Sequence, residues 1–408
     1  MGNRIPGGTL SIKFSPPDIS DLEISEVIDT LKSGWITTGP KTRQLEIEVT
    51  KFTKSAGAVC LNSATAGMEM VLRLFDIGPG DEVITTPYTY SATAAVILHV
   101  GATPVFADVG KDSFLIDPID IENKITEKTK AIIPVDIAGY PCDYNEIYRI
   151  VNSNSKFKPK KDTLQEKLGR ILVLDDAAHS IGSIYNGTPI GSVADFTSFS
   201  FHAVKNVTTS EGGVVTYNSY INEKLNGEEV YSNLKTLSLH GQSKDALAKT
   251  QLGSWEYDIL FPGYKCNMTD LAASLGLVQL KRYGESLQNR REELFNLYVK
   301  CLSKNKKFIL PHFYKDDTKS SSHLFLLRID GYTEDDRNKL IEAMGEEGIP
   351  LNVHYKPLPL FTAYKNLGYK MEDYPNSFNQ YRNQVTLPLH TLLTEDDIRY
   401  ISDRLLKF

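Results

Sequence analysis

The chain has 408 residues and a formal net charge of −6, from 45 Lys or Arg against 51 Asp or Glu. Because these charges are dispersed along the sequence, we expect no basic surface for nucleic acid or for an anionic membrane. No apolar run approaches the roughly 18 residues that suggest a membrane-spanning helix, and the first residues lack the hydrophobic core of a signal peptide.

The cysteines and the chain length indicate which kinds of site, which cell compartment and how many domains to expect. Cys60, Cys142, Cys266 and Cys301 are far apart in the sequence, which predicts neither a metal site nor a disulfide framework. A reducing cytoplasm is therefore the expected location. At this length we expect one large domain and one smaller domain.

Strand-like and helix-like segments alternate along the chain to about residue 285. Apolar runs rich in β-branched and aromatic residues predict strands, and a helix-like stretch follows the first of them. This alternation is typical of an α/β protein with a mostly parallel central sheet and helices on both faces. The predicted strands are residues 82–85, 104–107, 131–135, 171–174 and 196–201, and the predicted helix is 91–98.

The later part of the chain follows a different pattern. Residues 152–169 carry five lysines, which favours a solvated loop and helix before the strand at 171–174. Apolar residues repeat at helical spacing from 277 to 298 and predict a long helix that leads into a second domain. We expect a large domain at residues 1–285 and a small α+β domain at residues 286–408, with a strand at 324–329 and a helix at 334–346.

A short apolar strand at residues 59–61 leads into a turn of small and hydroxyl-bearing residues and then into a helix. The free backbone N–H groups at a helix start, with the positive end of the helix dipole, bind anions. Ser63 and Thr65 add hydroxyl donors to this start. The segment has no Gly-Lys-Ser/Thr and is not a Walker loop, and taken alone it is also typical of an ordinary helix N-cap.

Two carboxylates, Asp175 and Asp176, directly follow the apolar run at residues 172–174. This pattern predicts a buried parallel strand that ends at the carboxyl edge of the sheet, where ligands of α/β proteins bind. We expect Asp176 to reach a protonated ring nitrogen, whereas Asp175 caps a helix or stays solvated. If a helix starts here, His179 lies one turn along on the same face and contacts the ligand or serves the structure alone.

Lys205 follows the aromatic strand 196–201 and precedes Glu211, Gly212 and Gly213. A lysine that leaves a buried strand is partly desolvated, which lowers the pKa of its ammonium and frees the amine to attack a carbonyl. A long cationic side chain at a strand end also commonly extends into solvent. The interpretation of Lys205 as a Schiff-base lysine therefore depends on the anion site and the aspartates upstream.

Six segments resemble, in order along the chain, the DegT/DnrJ/EryC1/StrS family of nucleotide-sugar aminotransferases, which use pyridoxal 5′-phosphate (PLP). The resemblance covers the chain from about residue 12 to its end and implies the α/β fold of fold type I PLP-dependent transferases. The segments at 33–40 and 200–206 are most similar to enzymes that aminate C4 of UDP-linked sugars. The six segments are residues 33–40, 62–67, 80–87, 175–179, 200–205 and 263–268.

The resemblance assigns roles around the cofactor ring. Lys205 would bind PLP as a Schiff base and carry protons during amino transfer. Asp176 would pair with the pyridine nitrogen, which keeps the ring an effective electron sink. Tyr90 would cover one face of the ring, and His179 would lie near it.

The resemblance also implies how the cofactor phosphate is held. Thr65, the backbone of Ala66 and Ser200 would donate to it. Many relatives carry Asn at the position of Lys265 and Arg at that of Asn267, where one side chain reaches the phosphate in the partner subunit. Lys265 and Asn267 would take this role here, and the sequence leaves open which of them touches the phosphate or whether they form an ordinary charged turn.

The reaction implied is a ping-pong transfer of the amino group from L-glutamate to C4 of a UDP-linked 4-keto-6-deoxy hexose, for surface polysaccharide or glycan synthesis. The resemblance further implies a homodimer with active sites at the subunit interface and no metal. Trp35 and Thr37 would belong to a lid over the nucleotide. His354 and Tyr355 would line the sugar site, although a His or Tyr after a strand also commonly serves structure.

Several alternatives stay open at this point. One is amination at C3, or of a dTDP- or GDP-linked sugar, and another is a PLP-binding regulator without turnover, which the lack of an appended DNA-reading helix disfavours. A related branch that removes a hydroxyl replaces the lysine by histidine, so Lys205 argues against it. A nicotinamide oxidoreductase is disfavoured because no Gly-x-Gly-x-x-Gly opens a helix after a strand.

Overall fold

A seven-stranded sheet forms the centre of the N-terminal part of the molecule. The structure, a computed structural model, describes residues 12–244, 256–311 and 314–408. Most central strands are short runs of buried β-branched and aromatic residues, the composition that a sheet covered on both faces favours. The strands of this part are β1 (Gly57–Leu61), β2 (Glu82–Thr85), β3 (Thr103–Phe106), β4 (Thr129–Ile133), β5 (Leu172–Asp176), β6 (Ile184–Tyr185), β7 (Thr188–Pro189), β8 (Phe196–Ser200) and β9 (Gly213–Tyr217).

The central sheet has the order β1-β9-β8-β5-β4-β2-β3. The five strands from β8 to β3 are parallel, whereas β9 is antiparallel to both of its neighbours. Asp176 of β5 lies beside Ser198 of β8. Because β5 and β8 run parallel and end together, the residues that follow them emerge at one edge of the sheet. The prediction of a mostly parallel sheet is confirmed.

Helices cover both faces of this sheet, as predicted. Successive strand residues alternate between two apolar cores, so that Leu172 and Leu174 face one core while Ile171 and Val173 face the other. None of the described helices is both long and apolar enough to cross a membrane. The helices are α1 (Asp21–Ser33), α2 (Pro40–Thr53), α3 (Ala64–Leu74), α4 (Ser91–His99), α5 (Pro118–Lys124), α6 (Tyr144–Ser153), α7 (Leu164–Leu168), α8 (Ser219–Leu225), α9 (Gly227–Ser238) and α10 (Asp270–Arg282).

The C-terminal part has an apolar core of its own, built mainly from residues 294–405. The single long helix predicted before it is in fact interrupted, because a π-helical turn at Tyr283–Leu287 separates α10 from the next helix. The strand and helix predicted at 324–329 and 334–346 are present, and the boundary at 285/286 stays a prediction. The elements are α11 (Gln288–Leu302), β10 (Phe308–Ile309), β11 (Tyr314–Lys315), β12 (Thr318–Lys319), β13 (Phe325–Ile329), α12 (Glu334–Glu346), α13 (Thr362–Asn366), α14 (Pro375–Arg382), β14 (Gln384–Leu387) and α15 (Glu395–Leu405).

Candidate active site

A cavity of about 420 Å³ lies at the edge of the central sheet where β5 and β8 end. The structure thus brings together predicted residues that are up to 290 positions apart (65 to 355) in the sequence. Trp35, Thr37, Lys265 and Asn267 are not among the described residues that line this cavity. The predicted residues that do line it are Thr65, Tyr90, Asp176, His179, Ser200, Lys205, His354 and Tyr355.

Asp176 is the last residue of β5, and its carboxylate is held from two sides. The hydroxyl of Thr93, in the first turn of α4, donates to Oδ2 at 2.6 Å, and the backbone N–H of Ala178 donates to Oδ1 at 3.3 Å. Burial raises the pKa of Asp176, while these two bonds and the charge of Lys205 lower it. The carboxylate is therefore fixed in orientation at the base of the cavity, beside a lysine.

Lys205 lies in the connection between β8 and β9, and its side chain lines the same cavity. Burial lowers the pKa of its ammonium to about 8, although the neighbouring carboxylate of Asp176 raises it. An amine with this pKa is unprotonated in an appreciable fraction of molecules near neutral pH, as a nucleophilic lysine requires. The expected lowering of the pKa is present, for the expected reason.

The next residue, Asn206, anchors this lysine segment. Its amide Nδ2 donates to the Tyr283 hydroxyl at 3.0 Å and to the Ser321 carbonyl at 3.1 Å. Its Oδ1 lies 2.9 Å from Nδ1 of His323. Tyr283 belongs to the π-helical turn and donates its own proton to the Ile181 carbonyl at 3.0 Å, so the turn that interrupts the long helix also positions the lysine.

Asp175 differs from its prediction, since it neither caps a helix nor stays solvated. Its side chain is fully buried on the opposite face of β5 from Asp176, and both carboxyl oxygens lack a hydrogen-bond partner within the described part of the chain. Tyr144 lies close by, but its one O–H goes to Oδ1 of Asp136 at 3.0 Å. Burial and the charge of Asp136 raise the pKa of Asp175 well above its ordinary value.

His179 lies in a turn after β5, and no helix starts there. The backbone N–H of Ala138 donates to His179 Nδ1 at 3.2 Å, and the Tyr355 hydroxyl lies 3.2 Å from Nε2. Burial and the charge of Lys205 hold the pKa of His179 well below its usual range. The ring is thus neutral with its proton on Nε2, which donates to Tyr355 and leaves the tyrosine proton free for a ligand.

His354 is held in a similar way. Gln384 donates to the Thr386 hydroxyl at 2.8 Å, and this hydroxyl lies 3.0 Å from His354 Nδ1. Burial and the charge of Lys205 lower the pKa of His354 to about 4. Both cavity histidines therefore stay neutral near pH 7, and His179 keeps its proton on Nε2.

The start of α3 forms one end of the cavity. Ser63 caps the helix by accepting from the Ala66 N–H at 3.0 Å, and the role expected for this amide at the phosphate stays a prediction. A phosphate here would first meet the preceding amides and the hydroxyls of Thr65 and Ser200. Gly213 lets the helix start approach β9, because a Cβ at that position would lie 2.3 Å from the Ala64 nitrogen.

Tyr90 presents its ring at the opening of the cavity. The side chain is 65% exposed although its neighbours in the cavity wall are largely buried, and its ring centroid is 6.0 Å from that of Tyr355. An exposed aromatic face beside a half-buried lysine and a buried aspartate fits offset stacking against a planar ring. Neither Thr93 nor Asn206 was predicted as a site residue, although each is within three positions of Tyr90 or Lys205.

The comparison with protein-family models decides the identity. The model described as the DegT/DnrJ/EryC1/StrS aminotransferase family matches residues 17–406. The chain belongs to this family. It is a PLP-dependent sugar aminotransferase, and the resemblance drawn from the six segments is confirmed.

Individual relatives are similar to this chain over nearly its whole length. Spore coat polysaccharide biosynthesis protein SpsC of Bacillus subtilis is 40% identical, over 95% of this chain and 94% of its own. The UDP-4-amino-4-deoxy-L-arabinose–oxoglutarate aminotransferase of Shewanella sediminis is 37% identical, over 93% and 92%. The PLP form of Spr1654 from Streptococcus pneumoniae, described as a sugar aminotransferase, has a TM-score of 0.92 at 48% identity and covers 96% of this chain and 97% of its own.

The cavity suits PLP on its own geometry. It combines a lysine of lowered pKa, a fixed carboxylate and an exposed aromatic face with a helix start kept open by Gly213. These groups match, in turn, the aldehyde, the ring nitrogen, the ring face and the phosphate of the cofactor. The fold type I architecture expected from the resemblance is the one observed.

Proposed function

We propose that this enzyme transfers the amino group of L-glutamate to C4 of a UDP-linked 4-keto-6-deoxy hexose, for the synthesis of a surface polysaccharide or glycan. The observation that carries the proposal is the lysine of lowered pKa beside Asp176 in a cavity that also presents two neutral histidines and a tyrosine hydroxyl. The relatives support the finer assignment, since one acts on a UDP-linked 4-amino sugar and another serves spore coat polysaccharide biosynthesis.

In this proposal Asp176 and Lys205 have separate roles at the cofactor ring. PLP, when bound, supplies the electron sink and carries the amino group between donor and acceptor. Asp176 keeps a proton on the ring nitrogen, because its carboxylate is held in place by Thr93. Lys205 moves the proton between the substrate carbon and the cofactor, and its pKa of about 8 lets the amine both take up and release a proton near neutral pH.

The sugar and the donor must bind in turn beside these groups. Tyr355 offers a hydroxyl proton that His179 leaves free, and His354 adds a neutral imidazole. Neutral hydrogen-bonding groups suit the hydroxyl and keto oxygens of a hexose. A ping-pong sequence follows naturally because one cavity serves both half-reactions.

The same proposal includes a homodimer in which each subunit completes the other's site. Val204, next to the catalytic lysine, is an exposed apolar residue, and so are Tyr264 and Leu271 on either side of the 265–267 turn. Exposed apolar groups around a half-open polar site are typical of an interface that a second copy covers. All four cysteines are free thiols, which agrees with a reducing cytoplasm as the location.

A turnover screen tests the proposal. Purified enzyme with PLP and L-glutamate is incubated with 4-keto-6-deoxy hexoses linked to UDP, dTDP or GDP, and with 3-keto isomers, and products are read by mass. We expect amination of the UDP-linked 4-keto sugar at the highest kcat/KM. Preference for a 3-keto sugar or another nucleotide would overturn the substrate assignment, and PLP binding without turnover of any sugar would favour a regulator.

A further inference from the structure

His323 is a buried residue of the C-terminal part of the molecule that contacts two segments of the active site. It lies two residues before β13, is 4% exposed and is not among the described residues that line the cavity. Its Nδ1 lies 2.9 Å from Oδ1 of Asn206, the residue after Lys205. Its ring centroid lies 4.4 Å from that of His179, which in turn contacts Tyr355.

The hydrogen bonds of Asn206 establish where the proton of His323 lies. Nδ2 of Asn206 is 3.1 Å from the Ser321 carbonyl, which can only accept, so Oδ1 is the atom that faces His323. Because an amide oxygen also only accepts, Nδ1 of His323 must donate to it. Burial, and then the neighbouring His179 and Lys205, hold the pKa of His323 well below its usual range, so the ring stays neutral with this proton.

The backbone around His323 is held against a neighbouring segment that also binds His179. The N–H of His323 donates to the Ala138 carbonyl at 3.2 Å, while the N–H of Ala138 donates to Nδ1 of His179 at 3.2 Å. The N–H of Ser321 donates to the Gly139 carbonyl at 3.1 Å, and its hydroxyl donates to the carbonyl of His179 at 2.6 Å. Gly139 permits this approach, because a Cβ there would lie 2.0 Å from the Ser321 hydroxyl oxygen. The two histidines are therefore fixed relative to each other.

Ser322, beside His323, has a backbone conformation that residues with a Cβ rarely adopt. Its φ is +54°, and that of Ala138 across the contact is +59°. Arg291 of α11 holds this conformation, since its Nη1 donates to the carbonyls of Ser322 and His323 at 3.2 and 3.4 Å. Strained backbone of this kind persists where surrounding contacts impose it, and it clusters at functional sites. A side chain that only fills space does not explain why His323 is placed despite this strain.

We propose that His323 is a positioning residue that acts on two groups of the active site by two different means. Its Nδ1–H holds Asn206 and so keeps Lys205 in the cavity. Its ring packs on His179 and so keeps the proton of the Tyr355 hydroxyl free for the sugar. Both effects rest on the roles that the proposed function gives to the lysine and the tyrosine.

Two substitutions separate the two effects. His323→Phe keeps a ring against His179 but removes the donor to Asn206, whereas His323→Asn keeps an N–H near the position of Nδ1 but removes the ring. His390→Asn is the matched control, because His390 is equally buried in the C-terminal part, where its Nε2 lies 3.0 Å from the Lys13 carbonyl.

The effect on the lysine is measured in enzyme freed of PLP, from the pH dependence of the acetylation of Lys205 by acetic anhydride, read by peptide mass. The wild-type midpoint should lie near pH 8, since burial lowers the pKa of Lys205 to about 8. His323→Phe should raise the midpoint by about one pH unit, because a lysine released to solvent returns toward its ordinary pKa. His323→Asn and His390→Asn should leave the midpoint in place.

The effect on the tyrosine is measured in PLP-loaded enzyme, from the KM for the 4-keto sugar nucleotide at saturating L-glutamate. His323→Asn should raise this KM about three- to tenfold, the size expected for one lost neutral hydrogen bond. His323→Phe and His390→Asn should leave it within about twofold of wild type.

The two measurements can each overturn the proposal. An unchanged midpoint in His323→Phe would reject the hold on the lysine, and an unchanged KM in His323→Asn would reject the hold on the tyrosine. Equal changes in both variants, or changes of the same size in His390→Asn, would mean that His323 serves the fold alone. If His323→Phe does not fold, Asn206→Ala removes the same hydrogen bond from the other side, and if His323→Asn does not fold, His323→Gln replaces it.

Borohydride reduction of PLP-loaded wild-type enzyme, followed by peptide mass, tests the proposed function separately. Label on Lys205 together with an unmoved midpoint in His323→Phe would reject the role of His323 alone. Label on a different lysine would reject the proposed function, and the role of His323 with it.

Discussion

The two lysines assigned to the cofactor site have opposite surroundings. Lys205 lies in a cavity beside an aspartate that Thr93 holds at 2.6 Å, and burial lowers its pKa to about 8. Lys265 is exposed on the 265–267 turn, and its ammonium lies 2.5 Å from the Asn267 side chain of the same turn. Lys205 and Asp176 therefore meet within one chain, whereas Lys265 lies outside their cavity, where we propose that dimer assembly brings it to the partner's phosphate site.

Of the substitutions that test this contrast between the two lysines, Lys205→Ala should have the largest effect on activity. Lys205→Ala should reduce transamination by more than about 10⁴-fold and abolish the visible absorbance of covalently bound PLP, because no other amine occupies its place. Lys205→Arg should not restore either, since a guanidinium stays protonated. Turnover is measured by amine transfer from glutamate and the bound cofactor by absorbance spectroscopy.

Lys265→Ala is the matched control, because Lys265 is the exposed one of the two lysines. In the proposed shared site this variant removes a charge beside the phosphate and not beside the reacting atoms, so PLP retention should weaken by about ten- to hundredfold while the visible band persists at saturating PLP. Equal losses from the two alanine variants, with saturating cofactor, would mean that both lysines act at the reacting end and that the contrast is wrong.

Asp176→Asn should have the second largest effect. The amide keeps the shape and can still accept from Thr93, but it cannot stabilise a proton on the ring nitrogen. We expect kcat to fall by about ten- to hundredfold, the loss of one charge-assisted bond, with the circular dichroism spectrum unchanged. Asp175→Asn, one residue away on the other face of β5, is the control and should leave kcat within about twofold of wild type. Equal losses would mean that the catalytic carboxylate is assigned incorrectly.

The sequence correctly predicted that Asp176 and Lys205 lie together, because strand ends are easy to recognise. The run at 172–174 and the aromatic strand 196–201 each have a clear end, and parallel neighbours must place those ends together. Asp176 and Lys205 therefore follow from the pattern and the resemblance. The phosphate seat at Ser63 and Thr65 follows from the change of pattern between strand and helix.

The missed features depend on contacts that no local pattern contains. The burial of Asp175 depends on which side chains cover that face of β5, and these come from the segment at 136–144. His179 lies in a turn, in which the N–H of Ala178 donates to the Asp176 carboxylate at 3.3 Å. The role of Tyr283 depends on a π-helical turn that periodicity reads as continuous helix.

Asp136 and Asp175 form a buried pair of carboxyls behind Asp176. Asp136 Oδ1 accepts from the Cys142 N–H at 2.8 Å and from Tyr144, but its Oδ2 and both oxygens of Asp175 have no partner within the described residues. Burial raises the pKa of Asp136 to about 7, and burial and Asp136 raise that of Asp175 further above its ordinary value. The pair therefore holds at least one proton at neutral pH.

This proton makes the stability of the protein depend on pH. Unfolded carboxyls release their protons near pH 4, whereas the folded pair retains them until about pH 7 or above. Because the folded pair binds more protons across this window, its contribution to the free energy of unfolding falls as the pH rises from about 4 to 7. Asp175→Asn removes one of the two titrating groups and can donate to the unpartnered oxygen of Asp136.

Asp175→Asn should therefore gain stability over wild type as the pH rises. The difference in the free energy of unfolding, from urea titrations of the PLP-loaded enzyme, should grow by about 1–3 kcal/mol in favour of the variant between pH 5 and pH 8. Asp29→Asn, at an exposed position of α1, controls for the loss of one charge and should show no such growth. If the curves for Asp175→Asn and wild type stayed parallel with pH, the two buried carboxyls would hold no proton between them. Asp176 would then be buried near further negative charge, and the lowered pKa of Lys205 would be harder to reconcile with its surroundings.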